Sequence, residues 1–466
     1  MDEIRSAAIA RLRAGIAAVN QGDYTTAQTL FEESHALFRQ VGDNVGIAWT
    51  LNNLGEIAAT RGDHTQARPL FEQALELRRA IGDAAQIALT LNNLGAVAGE
   101  QGDIIMARKL FEESLELRRA MGDQRGIAYA LFNLANVAAN LADYGAAHAL
   151  FEESLALRRA LEDQPGIAWA LLSLGNLGLV QSDYGLARSY YDDSLALFRA
   201  AEDRDGVAWA LSNIGEVLHH QGYYTAAQAR YDESLAIFRE RANKLGVAWV
   251  LNNAGDTACQ EGDDETARTL LEESLILARD MGNRRVLAWA LHSFGSLAVL
   301  RADHTTARQL FDQSLSLRRA IGDKRGSAEC TISLGMLART EGKLDQSQIL
   351  LKAGLAQSNA IGDRRQTAQG LAALAALMAD RAEGGRQARF AARSAQLSGA
   401  VMAATEVLKA QLDRQYRVPH EGAIAMMRLA LGPGEFNAAF EVGRRLSIEE
   451  AVTLALSAVT NTHFGG

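Results

Sequence analysis

The chain has 466 residues, of which 48% are hydrophobic and 22% charged, a balance that supports a sizeable packed core and excludes a disordered chain. Its formal net charge of −9 disfavours direct binding to nucleic acid or to anionic membranes, which needs clustered basic residues. With only 4 prolines and 2 cysteines, the chain favours long helices and excludes a disulfide framework or a zinc site. No apolar run is long enough to span a membrane and no signal peptide opens the chain, so we expect a cytoplasmic protein.

The sequence repeats with a period of 40 residues. An alanine recurs in ten successive lines, and glycine or alanine stands seven residues later. The alanine column comprises Ala8, Ala48, Ala88, Ala128, Ala168, Ala208, Ala248, Ala288, Ala328 and Ala368. A third column is mostly aromatic and comprises Phe31, Phe71, Phe111, Phe151, Tyr191, Tyr231, Leu271 and Phe311. Such self-similarity at a fixed period predicts a repeat architecture.

Each period is predicted to contain two antiparallel helices of about 17 residues. Residues 47–58 and 67–77 each place apolar side chains on one helical face, and Gly62-Asp63 separates them with a helix stop and a helix start. The small residues allow close crossing of the two helices, and the aromatic column fills the remaining space. Pro69 lies beyond the first turn of its helix and predicts a late start or a kink.

The order Leu51-x-x-Leu54-Gly55-x-x-Ala58, Gly62-Asp63, Ala67, Phe71, Ala74 resembles the tetratricopeptide repeat (TPR). The 40-residue period is similar to that of its bacterial and kinesin-light-chain-like subgroup. The resemblance implies an all-α fold, a right-handed α-solenoid or superhelix of about ten helix-turn-helix units over residues 1–399, whose first helices line a concave groove. The last unit is degenerate around residues 381–389. Residues 400–466 would form a C-terminal helical cap.

The period stops after Gly399. Helices are expected over 401–416, 421–431 and 435–445, with a break at 418–420 and a turn at Gly432-Pro433-Gly434. A capping box at Ser447–Glu450 predicts a final helix that ends near Val459. On physical grounds this tail mainly covers the last apolar face of the array.

The tail also carries a second resemblance. The succession Leu397-x-Gly399-Ala400, Leu431-Gly432, Phe436-x-x-x-Phe440 and Gly443-Arg444 resembles the ends of large bacterial ATP-dependent signalling and transcription regulators. In those proteins such a tail follows a repeat array and a nucleotide-binding domain. This chain has no phosphate-binding loop and no basic DNA-recognition helix, so the resemblance implies the sensor part of such a regulator.

One helical face carries the candidate binding residues. All five tryptophans occupy a single repeat position, and the residues three, four and seven positions later share their face; we name this set of positions the aromatic–amide face. Its candidate residues are Trp49, Trp169, Trp209, Trp249 and Trp289; Asn53, Asn93, Asn133, Asn213 and Asn253; and Glu56, Glu216 and Asp256. The asparagines resemble those with which related repeats hold a peptide. An amide pairs with both polar groups of a peptide unit, the tryptophans offer apolar pockets, and the acids favour a ligand with some positive charge.

A structural interpretation stays open beside the binding one. The tryptophans would then wedge between successive first helices, and the asparagines would bond along the helix or to the next repeat. We therefore expect non-catalytic binding of a peptide or protein segment, as part of a bacterial signalling system. The alternative is a passive scaffold or oligomerisation module that uses the convex face, the ends or the tail. The histidines, cysteines and serines form no catalytic or metal-binding pattern, so no enzyme activity, cofactor or metal is expected.

Overall fold

The computed structural model describes residues 1–382 and 388–457, and regular secondary structure in these ranges is entirely helical. The predicted all-α fold is confirmed. The chain divides into two compact units, Met1–Asp163 and Gln164–Gly466, which we name unit 1 and unit 2. In the described ranges, no helix is both long enough and apolar enough to cross a membrane.

Unit 1 is a stack of four helical hairpins. Its helices are α1 Asp2–Asn20, α2 Tyr24–Val41, α3 Asn44–Thr60, α4 His64–Ile81, α5 Ala84–Glu100, α6 Ile104–Met121, α7 Gln124–Asn140 and α8 Tyr144–Ala160. The odd-numbered helices are the first helices of each repeat. Successive first helices lie closer together than successive second helices do.

Unit 2 continues the same alternation and adds the tail. Its repeat helices are α9 Gln164–Val180, α10 Tyr184–Ala200, α11 Arg204–His220, α12 Tyr224–Glu240, α13 Lys244–Glu261, α14 Asp264–Asp280, α15 Arg284–Leu300, α16 His304–Ala320, α17 Lys324–Thr340, α18 Leu344–Ile361 and α19 Arg364–Ala382. The remaining helices are α20 Ala388–Leu408, α21 Arg414–Arg444 and α22 Ile448–Leu456. Helix α20 runs through Gly399, and the domain boundary placed there stays a prediction.

The glycine–aspartate pairs act as predicted. Gly62 has φ of 79°, which places it in the left-handed region, and the Asp63 side chain accepts a hydrogen bond from the Gln66 N–H at 2.9 Å. The late start predicted from Pro69 is wrong, because α4 begins at His64 and runs to Ile81, and the alternative of a kink stays a prediction.

The small and aromatic columns pack as predicted. A Cβ atom on Gly55 would lie only 2.8 Å from the Phe71 ring, so this glycine makes room for the aromatic side chain. The column alanines have a second role that the repeat pattern did not indicate, because their carbonyls accept a hydrogen bond from a buried serine 26 residues later. The Ser154 hydroxyl donates to the Ala128 carbonyl at 2.7 Å, and six other hairpins repeat this contact.

The tail departs from its predicted helices. Helix α20 ends at Leu408 instead of 416, and α21 begins at Arg414 and passes through Pro419, so the predicted break at 418–420 is wrong. Pro419 is the sixth residue of α21, and its missing N–H costs this helix one backbone hydrogen bond. The turn at Gly432 is confirmed as a kink with φ of 73°.

The end of the tail covers the last repeat helices. The predicted capping box at Ser447 is present and opens α22. Ala451 and Val452 of this helix pack in one buried cluster with Leu371 and Leu374 of α19. The predicted helix end near Val459 and part of the degenerate stretch 381–389 lie outside the described residues.

Candidate functional site: the aromatic–amide face

The aromatic–amide face of unit 1 is open to solvent. Trp49 is 36% exposed and Tyr129, which occupies the tryptophan position two repeats later, is 47% exposed. The Glu56 side chain is also exposed, and the side chains of Asn53, Asn93 and Asn133 are half-buried. These residues are therefore accessible to a ligand.

Three contacts show how the polar side chains of this face are used inside the protein. The Asn93 side-chain amide donates to the Glu56 carboxylate at 2.9 Å, and the Asn213 amide donates to Asn176 Oδ1 at 2.9 Å. The Ser293 hydroxyl donates to the Asp256 carboxylate at 3.0 Å. In each pair, the donor stands four residues after the tryptophan position, and the acceptor stands seven residues after it in the preceding repeat. Three pairs of neighbouring repeats are thus joined by a hydrogen bond across this face, and we name these three contacts the ladder.

Asn133 is excluded from this ladder. The residue that would accept its hydrogen bond in the preceding repeat is Ala96, which has no polar side chain. Among the described residues, the Asn133 amide has no hydrogen-bond partner. Asn53 also lacks a partner in a neighbouring repeat, since its amide donates to the Trp49 carbonyl of its own helix at 2.8 Å. Unit 1 therefore offers an amide whose hydrogen-bonding capacity is unused.

A buried arginine, Arg78, contacts two residues of the first helix α3. The Arg78 guanidinium lies 5.6 Å from the centre of the Trp49 ring, within cation–π range, and donates to Asn52 Oδ1 at 3.0 Å and to the Thr90 hydroxyl. Burial lowers the pKa of Arg78 to about 10, while Glu56 acts in the opposite direction. Sequence patterns did not single out this residue, whose repeat position holds arginine in four repeats, phenylalanine in three and alanine in one.

In unit 2 the tryptophans pack against one another. The ring centres of Trp209 and Trp249 are 6.0 Å apart, those of Trp249 and Trp289 are 4.4 Å apart, and each pair meets edge to face. Trp169 and Trp209 also contact Phe198 and Phe238, respectively, at 5.0 Å. All four tryptophans of this unit are half-buried. These contacts match the structural interpretation, in which tryptophans wedge between first helices.

The amides of unit 2 are buried. Asn213 is 7% exposed and Asn253 is 5% exposed, so the exposure that a binding role requires is absent at these two positions. The equivalent asparagines of unit 1 are only half-buried and remain accessible. The predicted binding residues therefore separate into an open set in unit 1 and a covered set in unit 2.

The acids of unit 2 are also in a covered environment. Burial raises the pKa of Asp256 to about 8, against the opposing effect of its hydrogen bond from Ser293. Burial likewise raises the pKa of Glu216, although nearby Arg325 lowers it. The negative charge predicted at Asp256 is thus reduced at neutral pH, whereas the Glu56 side chain of unit 1 is exposed to solvent.

The cover in unit 2 includes a segment of the tail. Residues 410–417, which we name the crossing segment, contact first helices at four places. The Gln411 N–H donates to the His220 carbonyl at 2.9 Å, and the Arg414 N–H donates to Gln260 Oε1 at 2.6 Å. Tyr416 Oη lies 3.0 Å from Ser333 Oγ, and Gln369 donates to the Asp413 carboxylate at 2.6 Å. Sequence patterns gave no signal for these contacts.

Metal-ligating and thiol side chains are the remaining candidates for chemistry in the described ranges. No group of three or more His, Cys, Asp or Glu side chains is arranged to hold a metal ion there. Both cysteines, Cys259 and Cys330, are buried and unpaired, and burial raises the pKa of each thiol. Such thiols are poor nucleophiles at neutral pH.

The repeat assignment is supported by a family model. The model described as tetratricopeptide repeat matches residues 6–80, 86–160, 166–240, 206–280 and 246–320, which together make up more than half of the chain. The chain belongs to the tetratricopeptide repeat family. None of the curated protein sequences compared with the chain matches it.

Solved structures share this fold at low sequence identity. A Rap protein complexed with Competence and Sporulation Factor is 13% identical, with a TM-score of 0.59 over 77% of this chain and 99% of that one. The apo form of RapI is 13% identical, with a TM-score of 0.51 over 59% of this chain and 98% of that one. BtubC from P. vanneervenii is 19% identical, with a TM-score of 0.40 over 46% of this chain and 91% of that one. The first two similarities establish a shared helical-repeat fold.

Proposed function

We propose that the protein is a non-catalytic binding module that holds an extended peptide or protein segment on the aromatic–amide face of unit 1. The observation that carries the proposal is the half-buried, unpartnered amide of Asn133 beside the exposed ring of Tyr129. An amide in this state gains a donor and an acceptor contact when a peptide unit binds, with little loss of internal bonding.

The neighbouring residues give this site a way to select side chains. Tyr129 and Asn133 are four residues apart on α7, and Trp49 and Asn53 repeat the same spacing on α3, so each aromatic ring stands next to an amide. The rings offer large apolar contacts with few rotatable bonds. The exposed Glu56 carboxylate favours a ligand that carries a positive charge near Trp49.

A regulatory role in bacterial signalling is part of the proposal. Two observations support it: the resemblance of the tail to the ends of bacterial signalling and transcription regulators, and the shared fold with a Rap protein that was solved as a complex with Competence and Sporulation Factor. The chain would then act as the sensor part, and ligand binding would be its input.

The test uses a selected peptide as probe. A phage-displayed library of random peptides is panned against the full chain, and the enriched peptide is titrated calorimetrically into wild type, Asn133→Ala and Tyr129→Ala. We expect each substitution to weaken binding about tenfold or more, since each removes a contact worth about 1–2 kcal/mol. Gln124→Ala, which truncates an exposed amide at the start of the same helix, serves as the control. Equal affinity in all four proteins would refute the site.

Self-association is the second candidate function. Helix α1 exposes Ile9 and Ile16, which lie seven residues apart on one face, so an apolar strip is available for another copy of the chain. Sedimentation of wild type and Ile9→Lys distinguishes the two functions. A dimer that dissociates in the variant supports the scaffold, and a monomer in both supports the binding module.

A further inference from the structure

The crossing segment lies on the covered aromatic–amide face of unit 2. His220 and Gln260 stand eleven residues after Trp209 and Trp249, and eleven residues are three helical turns, so they continue the same face. Two other partners occupy the repeat positions themselves. Ser333 is the equivalent of the asparagines, and Gln369 is the equivalent of the tryptophans.

The backbone of the segment is held as a bound peptide would be. Residues 410–413 have no helical structure, and the Gln411 N–H donates to a carbonyl at the end of α11. Three residues later, the Arg414 N–H donates to the side-chain amide of Gln260. A side-chain amide of the face therefore binds a backbone group of the segment, which is the contact proposed for the asparagines of unit 1.

The side chains of the segment alternate as in an extended ligand. Ala410 and Leu412 are buried, whereas Gln411 between them is exposed. Ala410 packs in a cluster with Leu211 and Ile214 of α11, and Leu412 packs in a cluster with Leu371 of α19. Alternate side chains thus occupy apolar sites on different repeats.

An acidic residue anchors the segment. The Asp413 carboxylate accepts a hydrogen bond from Gln369 at 2.6 Å and pairs with the Arg365 guanidinium. Arg365 is itself fixed by a hydrogen bond from its backbone N–H to the Ser182 hydroxyl at 3.3 Å. A partly buried charge pair of this kind is exchangeable, because a carboxylate from another chain satisfies the same arginine and amide.

We propose that residues 410–417 are an intrachain ligand that occupies a second binding face, in unit 2, and is displaced by a peptide of the same chemistry. The displacing peptide has two small or branched apolar residues at alternate positions, followed directly by an acidic residue. This inference rests on the proposed use of the aromatic–amide face for binding peptides. It adds that the aromatic–amide face of unit 2 is closed while the crossing segment lies on it, and it names the class of peptide that would displace this segment.

The test combines hydrogen exchange with peptide binding in the full chain. In Asp413→Asn, we expect the amides of Gln411 and Arg414 to exchange about tenfold faster or more, because a charge-assisted contact is lost. A synthetic peptide with the sequence of residues 406–418 serves as the binding probe. We expect it to bind the variant at least about tenfold more tightly than wild type. Glu406→Gln removes another tail carboxylate, which pairs with Arg444 on the surface, and leaves both readouts unchanged.

Leu412→Ala is a second variant that weakens the hold on the crossing segment. We expect it to show the same faster amide exchange and the same tighter binding of the peptide 406–418. The proposal is overturned if the amides of residues 411 and 414 still exchange slowly in both variants. It is also overturned if these amides exchange faster but the variants do not bind the peptide 406–418. Loss of the folded state in both variants also overturns it, because the segment would then be part of the core. Exchange of the segment amides is measured without any added peptide, so failure here is separable from failure of the unit 1 site.

Discussion

The side-chain amide of Asn93 donates a hydrogen bond to the carboxylate of Glu56 in the preceding repeat, 2.9 Å away. The same carboxylate accepts a hydrogen bond from Asn52 at 2.7 Å. The Glu56 carboxylate therefore accepts hydrogen bonds from two amides, and a ligand that binds Asn93 has to replace the hydrogen bond that Asn93 makes with Glu56. At Asn133 the acceptor position holds Ala96, and a ligand gains its contact without that exchange.

Restoring the missing acceptor tests this relationship. In Ala96→Glu, the new carboxylate is placed to accept the Asn133 amide, as Glu56 accepts Asn93. We expect the selected peptide to bind about tenfold more weakly, while the free energy of unfolding changes by less than about 0.5 kcal/mol. Calorimetric titration and urea denaturation measure the two quantities. Unchanged affinity would mean that the free amide of Asn133 does not contribute to binding.

Truncation of a buried amide in unit 2 has a different effect. Asn213 is 7% exposed, and its amide donates to Asn176 at 2.9 Å, so Asn213→Ala loses an internal hydrogen bond and leaves an acceptor less well satisfied. We expect a loss of about 1–2 kcal/mol in the free energy of unfolding. Asn133→Ala is the matched control, for which less than about 0.5 kcal/mol is expected. Equal stability of the two variants would contradict the assignment of Asn213 to the ladder.

Close packing of the tail depends on Gly443. A Cβ atom at this position would overlap the backbone carbonyl oxygen of Gln396 on α20, and backbone moves less easily than a side chain. Gly443→Ala is therefore expected to destabilise the protein by about 1–3 kcal/mol. Gly422 lies in the same helix with open space around it, and Gly422→Ala is expected to be neutral or stabilising by up to about 1 kcal/mol. Thermal unfolding of both variants compares these effects, and similar losses would contradict the close crossing.

Asp256 makes a contribution to stability that depends on pH. Its pKa is about 8 in the folded protein and about 4 when unfolded, so between these values the folded state retains a proton that the unfolded state releases. Its contribution is full below the unfolded pKa and is lost as the pH rises towards 8, by at most about 1.4 kcal/mol per pH unit. We expect Asp256→Asn to gain stability relative to wild type between pH 5 and pH 8. Denaturation at both pH values measures the difference, and a constant difference would refute the raised pKa.

The repeat array was predictable because every structural requirement recurs at the 40-residue period. Gly62-Asp63 ends one helix and caps the next, and Gly55 makes room for Phe71, in a pattern that the alignment of repeats displays directly. The two outcomes for the amides were not predictable. Asn133 and Asn213 occupy the same repeat position, and their difference arises from the residue that faces each one and from what covers the face.

The path of the tail across the repeats was also not predictable from the sequence patterns. Arg414 lies 150 residues from Asp264, with which it forms an ion pair at 3.1 Å, and no periodicity connects them. The proline at 419 indicated a break, whereas the real interruption falls at residues 409–413, where Lys409 adopts a left-handed conformation with φ of 49°. Contacts at such sequence separations are decided by tertiary packing, which local patterns do not contain.

Photo-crosslinking at position 129 tests the central claim most directly. Tyr129 is replaced by a photoreactive phenylalanine analogue, the selected peptide is added and irradiated, and the crosslinked residue is identified by mass spectrometry. The same analogue at Ile105, which is exposed on a second helix, reports nonspecific capture. Our account predicts a saturable crosslink at 129 that excess unlabelled peptide abolishes, and none at 105. A peptide that binds with full affinity but crosslinks at neither position, or equally at both, would contradict binding on the aromatic–amide face of unit 1.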